Sequence, residues 1–275
     1  MNFAFTDEQQ MLRDTVRSYL ADKAPMTEVR EMMETDVGFA QTLWADLADL
    51  GMLGVHIPDE YGGAGFTFQE LGIVMEEMGR ALTPLPFLST IVLGAGALLV
   101  AGSEEQKSEF LARIAAGDLR VALAVTEADG SWDLAGTVCT AEQSNDTIVL
   151  SGLKSYVIDG HTADLLVVAA RDDIGAVSLF LVPADSSGIE RTRLETMDMT
   201  RKLAEVRLDD VAVPADSRLG DPGSADATMT RLYDLAVVAL AFEQIGGAQA
   251  CLEASVEYAK TRHQFGRPIG SFQAI

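Results

Sequence analysis

The chain has 275 residues, 48% of them hydrophobic, enough to bury one large core or two to three smaller ones. Its 20 Lys and Arg stand against 42 Asp and Glu, a formal charge of −22. Such an acidic surface repels phosphate backbones and anionic lipid, which argues against nucleic acid or a membrane surface as a partner.

The opening Met1-Asn-Phe-Ala-Phe-Thr-Asp-Glu8 has acids where a signal peptide would have an apolar run, so none is expected. Thr6 and Gln9 have capping-box spacing, and Met11, Leu12, Val16, Tyr19 and Leu20 then recur at helical spacing. A second amphipathic helix is expected near Phe39 to Leu50, ended by Gly51, followed by an irregular Gly54–Gly65 segment rich in Gly and Pro. Gln69 to Leu82 reads as a helix with Leu71, Val74, Met75 and Met78 on its core face. The stretch Ile91–Ala101 is apolar but too short to cross a bilayer, which takes about 20 residues, and reads as a buried helix. A soluble protein without membrane insertion is expected. Ser103 and Gln106 cap a further helix that ends at Gly117.

Near Arg120 the period changes from helical to alternating. Strands are expected at Val121–Thr126, Thr137–Ala141, Thr147–Leu150, Lys154–Ile158, Leu165–Ala170, Val177–Pro183 and Ala204–Leu208, with turns at Asn145-Asp146, Asp172-Asp173 and Ser187-Gly188. Seven short strands without intervening helices predict an antiparallel barrel or sandwich. After Asp221-Pro-Gly-Ser, residues Ala225 to about Arg262 read as a proline-free helix of roughly 55 Å, the start of a bundle. The fold class is therefore α+β in three parts, 1–119, 120–222 and 223–275.

Standard chemical motifs are scarce. Gly62-Gly-Ala-Gly65 lacks a dinucleotide spacing, no Gly-Lys-Ser/Thr phosphate loop is present, and His56, His161 and His263 fall in three regions. Cys139 and Cys251 lie far apart with no C-x-x-C spacing, which disfavours a disulfide or metal framework and fits a reducing cytoplasm. No metal site is expected. Glu243 stands between Phe242 and Ile245 on the long helix, where a carboxylate is costly unless it is paired with a basic residue or functional.

Four stretches carry a resemblance. Asp59-Glu-Tyr-Gly-Gly-Ala-Gly65 comes before a Glu-Glu-Met-Gly-Arg80 helix. Ala124-Val-Thr-Glu127 is followed by Asp133-Leu-Ala-Gly136, and Ser151-Gly-Leu-Lys-Ser-Tyr-Val-Ile-Asp-Gly160 comes next. Val211-Ala-Val-Pro-Ala215 and the closing Arg262-x-x-Phe265-Gly266 complete the set. In this order they resemble the flavin-dependent acyl-CoA dehydrogenases. The resemblance implies an FAD enzyme that converts an acyl-CoA thioester to a trans-2-enoyl-CoA and passes electrons to an electron-transfer flavoprotein, in a homo- or hetero-oligomer. It also implies that the family's closing helices, with the usual glutamate base, follow Ile275.

Residue by residue, the resemblance assigns Thr126, Ser131, Tyr156 and Ile158 to the chain's own flavin, and Arg262, Phe265 and Gln273 to a neighbouring subunit's. Glu243, two turns beyond the position Ala236 that carries the base in some members, is the candidate catalytic base or acid-site residue. Three positions depart from the pattern. Trp132 stands where a serine is usual, Tyr156 replaces a tryptophan, and Ile158 replaces a threonine whose hydroxyl faces the flavin. Tyr156 can still serve as a stacking surface, but Ser131-Trp132 and Ile158 support an alternative, a half-site or non-catalytic subunit of a heteromeric dehydrogenase such as those acting on steroid side-chain CoA thioesters.

Overall fold

The computed structural model describes residues 4–273. Its first part is helical: α1 (Asp7–Lys23), α2 (Met26–Glu34), α3 (Gln41–Asp49), α4 (Phe68–Ala81), α5 (Ala95–Ala101) and α6 (Glu104–Ala115). The expected boxes open α1 and α6. Gln9 N donates to Thr6 Oγ1 at 3.2 Å and Thr6 N to Gln9 Oε1 at 3.0 Å, and Ser103 and Gln106 repeat the exchange. A third box, Thr67 with Glu70, opens α4. Each such cap contributes about 1 kcal/mol. α2 is absent from the sequence expectation because it has no side-chain cap and buries only Val29. The buried helix starts earlier than expected, with a wholly buried π-helical segment Leu88–Gly94 ahead of α5.

The middle part is a sheet of β1 (Val121–Ala124), β2 (Thr140–Ser144), β3 (Thr147–Ile158), β4 (Leu165–Asp172), β5 (Val177–Pro183), β6 (Ile189–Leu194), β7 (Leu203–Pro214) and β8 (Arg218–Leu219). Their order is β6-β7-β3-β2-β4-β5-β8, with β1 also on β4. The expected antiparallel pairing holds for most neighbours, but the sheet is mixed. β1 runs parallel to β4 opposite Leu165–Val168, and β2 runs parallel to it opposite Arg171–Asp172. The two strands thus follow one path along one edge of β4, and residues 125–139 are an excursion from that path. That excursion carries the site.

Two expected strands, Thr147–Leu150 and Lys154–Ile158, are one bent strand, β3, whose register against β7 breaks between Leu150 and Gly152 and again between Lys154 and Val157. Those irregularities hid its continuity. β4 reads as an unbroken apolar run because both faces are buried. Leu165, Val167 and Ala169 pack with the helices, while Leu166, Val168 and Ala170 join Phe180 and Val206 in a second core.

α7 (Ala225–Thr261) has 37 residues and crosses α4 very closely. A Cβ on Gly79 would stand 2.0 Å from Glu243 O, and one on Gly246 would stand 1.8 Å from Glu76 O. Both glycines are there because backbone meets backbone. α7, not Ile91–Ala101, is the segment long and apolar enough to cross a membrane by length and composition. It packs one side on α4 and α5 and leaves Val237, Val238, Ile245, Leu252 and Val256 exposed. A hairpin of β9 (His263–Gln264) and β10 (Arg267–Pro268) follows. Its two-residue turn, Phe265-Gly266, has φ of 53° and 80°, the type I′ signature, and leaves Phe265 92% exposed. A short 3₁₀ turn, Ile269–Ser271, follows the hairpin.

Candidate functional site

A pocket of about 500 Å³ opens between the 125–139 excursion, the end of β3 and α7. Leu88, Leu93, Leu123 and Val125, all buried, form its floor, and Trp132, Tyr156 and Tyr233 line it with Thr126, Ile158 and Arg201. A larger cavity of about 780 Å³ lies between α6 and the sheet, but none of the flavin-contact or catalytic candidates from sequence lines it.

The base of the excursion is tied down by a buried ion pair. Lys154 Nζ donates to Glu127 Oε1 at 2.7 Å and to Val125 O at 3.3 Å, and Glu127 also accepts from the amides of Val138 and Cys139 at 2.9 and 3.0 Å. Burial opposes ionisation of Glu127, yet the Lys154 hydrogen bond and the two amides outweigh it and hold the carboxyl below its usual range. Burial pushes the neighbouring Cys139 thiol up to about 11, so it is inert at neutral pH. Thr126 O accepts from Ser155 N at 2.9 Å, which ties the excursion to β3.

The register break in β3 turns Tyr156 outward at a φ of 58°, leaving the residue 49% exposed. Past it, Ser89 donates to Asp159 Oδ2 at 2.7 Å. Burial raises the Asp159 carboxyl to about 6, although the Ser89 hydrogen bond and the Arg201 charge pull the other way. Arg201 itself donates to Glu243 Oε1 at 2.6 Å. His56, far from these groups in sequence, is held neutral by burial, its pKa lowered to about 4.

The structure therefore divides the sequence candidates. Thr126, Tyr156 and Ile158 meet in one pocket. Ser131 does not line it. Its amide bonds Asp129 and its hydroxyl accepts from Asp133 N, within a small recess beside Glu127. Arg262, Phe265 and Gln273 lie exposed on the closing segment, outside the pocket. Glu243 is also outside, and its carboxylate is a partner for Arg201. Of the two alternatives the sequence left open for this carboxylate, pairing with a basic residue is the one the structure has.

Sequence reasoning missed the Glu127–Lys154 pair, Asp159, Arg201 and the stacking of Trp132 on Tyr233 at 5.6 Å. Only the continuity of β3, which the sequence split in two, puts Lys154 at the strand parity of the buried Ile148 and Leu150, an inward position for a charge. Among the described residues no group of three His, Cys, Asp or Glu could hold a metal ion.

Comparison with known proteins gives three domain matches in order. Residues 6–118 match the acyl-CoA dehydrogenase N-terminal domain, 122–211 the middle domain and 226–275 the C-terminal domain. The probable acyl-CoA dehydrogenase YngJ of Bacillus subtilis is 34% identical over 284 residues, covering 100% of this chain and 74% of that protein. Among solved structures, the ChsE4-ChsE5 complex from Mycobacterium tuberculosis superposes with a TM-score of 0.89 at 31% identity, covering 100% of this chain and 72% of that one. A glutaryl-CoA dehydrogenase from Mycobacterium smegmatis in complex with FADH2 gives 0.90 at 26% identity, over 98% and 70%. With its domains in that order and similarity along its whole length, the chain belongs to the acyl-CoA dehydrogenase family of oxidoreductases.

Proposed function

We propose that the chain binds FAD in the 500 Å³ pocket and takes part in the α,β-dehydrogenation of an acyl-CoA thioester, with an electron-transfer flavoprotein as acceptor. The observation that carries this reading is the meeting of Thr126, Tyr156 and Ile158 in one apolar pocket at the end of a deliberately broken strand register. The residues fit a flavin. The exposed Tyr156 ring offers a stacking face, Thr126 a hydroxyl and an amide, and the buried leucine floor a dry surface. FAD, when bound, supplies the acceptor for the hydride that leaves the β-carbon.

The chain's own residues position the reactants and exclude water. No carboxylate lines the pocket among the described residues, and Glu243 is engaged by Arg201, so the acceptor of the α-proton is not part of this lining. Arg262, Phe265 and Gln273, exposed and outside the pocket, suit contact with a second subunit's cofactor, with the planar guanidinium matched to a diphosphate. The exposed apolar side of α7 suits burial in such an oligomer. A cytoplasmic location accords with the free cysteines Cys139 and Cys251.

A second reading, a half-site subunit of a heteromeric dehydrogenase, is favoured by Ile158 and Trp132 where hydroxyl side chains would be expected. It is also in line with the two-component complex to which the fold is similar. Purification separates the two. A yellow protein whose flavin bleaches anaerobically on adding an acyl-CoA supports the first reading. A colourless protein that gains flavin only with a partner subunit supports the second, and one that gains none in either case removes the flavin reading.

A further inference from the structure

Trp132 and Tyr233 bridge the pocket from wall to wall. Trp132 comes from the 125–139 excursion and Tyr233 from α7, and their rings stack with centroids 5.6 Å apart at an interplanar angle of 30°. Both line the pocket, and Trp132 is 68% exposed while the floor residues are buried, so the stack lies at the outer edge. An alkyl chain passing between two rings needs about 4 Å of contact distance on each face, roughly 8 Å in all. At the observed spacing nothing passes between them.

We propose that the Trp132–Tyr233 stack is the selectivity element of this pocket: a thioester's acyl group enters by parting the two rings, and the width to which they part sets the bulk that is accepted. The inference rests on the acyl-CoA reading above. The excursion is built for such a displacement. Its base is anchored by the buried Glu127–Lys154 pair and its returning side by Arg171, which donates to Leu134 O, Ala135 O and Thr137 O, whereas the tip between them is held by short-range turns, Ser131 N to Asp129 Oδ1 and Asp133 N to Ser131 Oγ, beyond Gly130 at a φ of 71°. The tip can swing from Gly130 without breaking the anchor. Tyr233 sits on a long helix packed against α4 and α5 and is the fixed half of the pair. The tryptophan therefore moves.

The test uses the flavin-loaded protein, with its partner subunit where one is needed to load it. Stopped-flow entry of 8-anilinonaphthalene-1-sulfonate, an apolar dye, is compared in wild type, Trp132→Ala and Tyr233→Ala. Turnover of octanoyl-CoA is compared with that of a fused-ring steroid acyl-CoA in the same proteins. Both alanine variants should admit the dye about tenfold faster. The ratio of kcat/KM for the fused-ring substrate over the octanoyl one should rise about tenfold, through KM more than kcat. Tyr233→Phe keeps a stacking ring and should keep slow dye entry. Dye entry within twofold of wild type in both alanine variants overturns the proposal. If no thioester is oxidised by any of the proteins, the acyl-CoA reading fails instead, and the dye rates still decide whether the stack closes the pocket.

Discussion

Lys154 Nζ lies 2.7 Å from Glu127 Oε1, and no part of the lysine side chain is exposed. The pair closes the gap left where the β1–β2 path departs from β4, and Thr126 is the residue beside it. A lone carboxylate there would keep only the Val138 and Cys139 amides. Lys154→Met should therefore cost about 3–5 kcal/mol, the usual result of breaking a buried pair from one side. The double variant Glu127→Gln with Lys154→Met should recover more than half of that loss. Denaturant unfolding of the three proteins checks both figures.

Glu243 and Arg201 join α7 to the loop between β6 and β7 at 2.6 Å, with side chains about a quarter to a third exposed. At that exposure solvent screens the pair, and Glu243→Gln should cost only about 1 kcal/mol. With Glu243 outside the pocket, the variant should retain turnover within about threefold. Steady-state kinetics on the flavin-loaded protein, with a thermal melt, measures the two effects separately. A loss of a thousandfold or more with flavin retained would assign Glu243 the proton-transfer role instead.

How much of this was legible in advance depended on how local each signal was. Capping boxes, the long α7 pattern and the Asn145-Asp146 turn are written in neighbouring residues, and the structure has them where the spacing put them. The parallel pairing of β1 and β2 with β4 is a long-range relationship, and no short pattern marks it. The bends of β3 erased its alternation, so one strand read as two. In the site, Thr126, Tyr156 and Ile158 were legible through motif resemblance. Arg201 was not, because it reaches the pocket from a loop 43 positions after Ile158 (201 − 158). Glu243 looked isolated for the same reason, since its partner is distant in sequence.

The α4–α7 crossing has a paired test on one helix. Gly246 has Glu76 O where its Cβ would go, at 1.8 Å, whereas a Cβ on Gly247 would meet its nearest backbone atom, Gly79 O, at 3.5 Å, an ordinary contact. Gly246→Ala must push the helices apart and should destabilise by about 2–3 kcal/mol. Gly247→Ala gains helix propensity of up to about 1 kcal/mol and should be neutral to stabilising. Opposite shifts in melting temperature are expected from two adjacent positions, and equal shifts would contradict the close crossing.

Asp159 supplies a pH dependence whose sign is opposite to that of most carboxylates. Its folded pKa, about 6, lies above the ordinary value of 3.8, with burial as the main cause. The folded state thus holds a proton that the unfolded chain has released across the window from about 4 to about 6. In that window this group makes stability fall as pH rises. Below it the carboxyl is neutral in both states and costs nothing, and above it the full penalty is present. A shift of about two units corresponds to about 3 kcal/mol at most, less for a group that retains some solvent access. Glu127 runs the other way, since its lowered folded pKa contributes stability that is present above the ordinary carboxylate range and lost as the pH falls through it. The Asp159 contribution is isolated by the difference between Asp159→Asn and wild type, in which Glu127 cancels. The asparagine can still accept from Ser89 but carries no charge. Its melting temperature should exceed that of wild type by several degrees at pH 7.5 and match it at pH 4, with the crossover centred between those values. A difference that is constant across the range would mean that the Asp159 charge is not what burial is opposing.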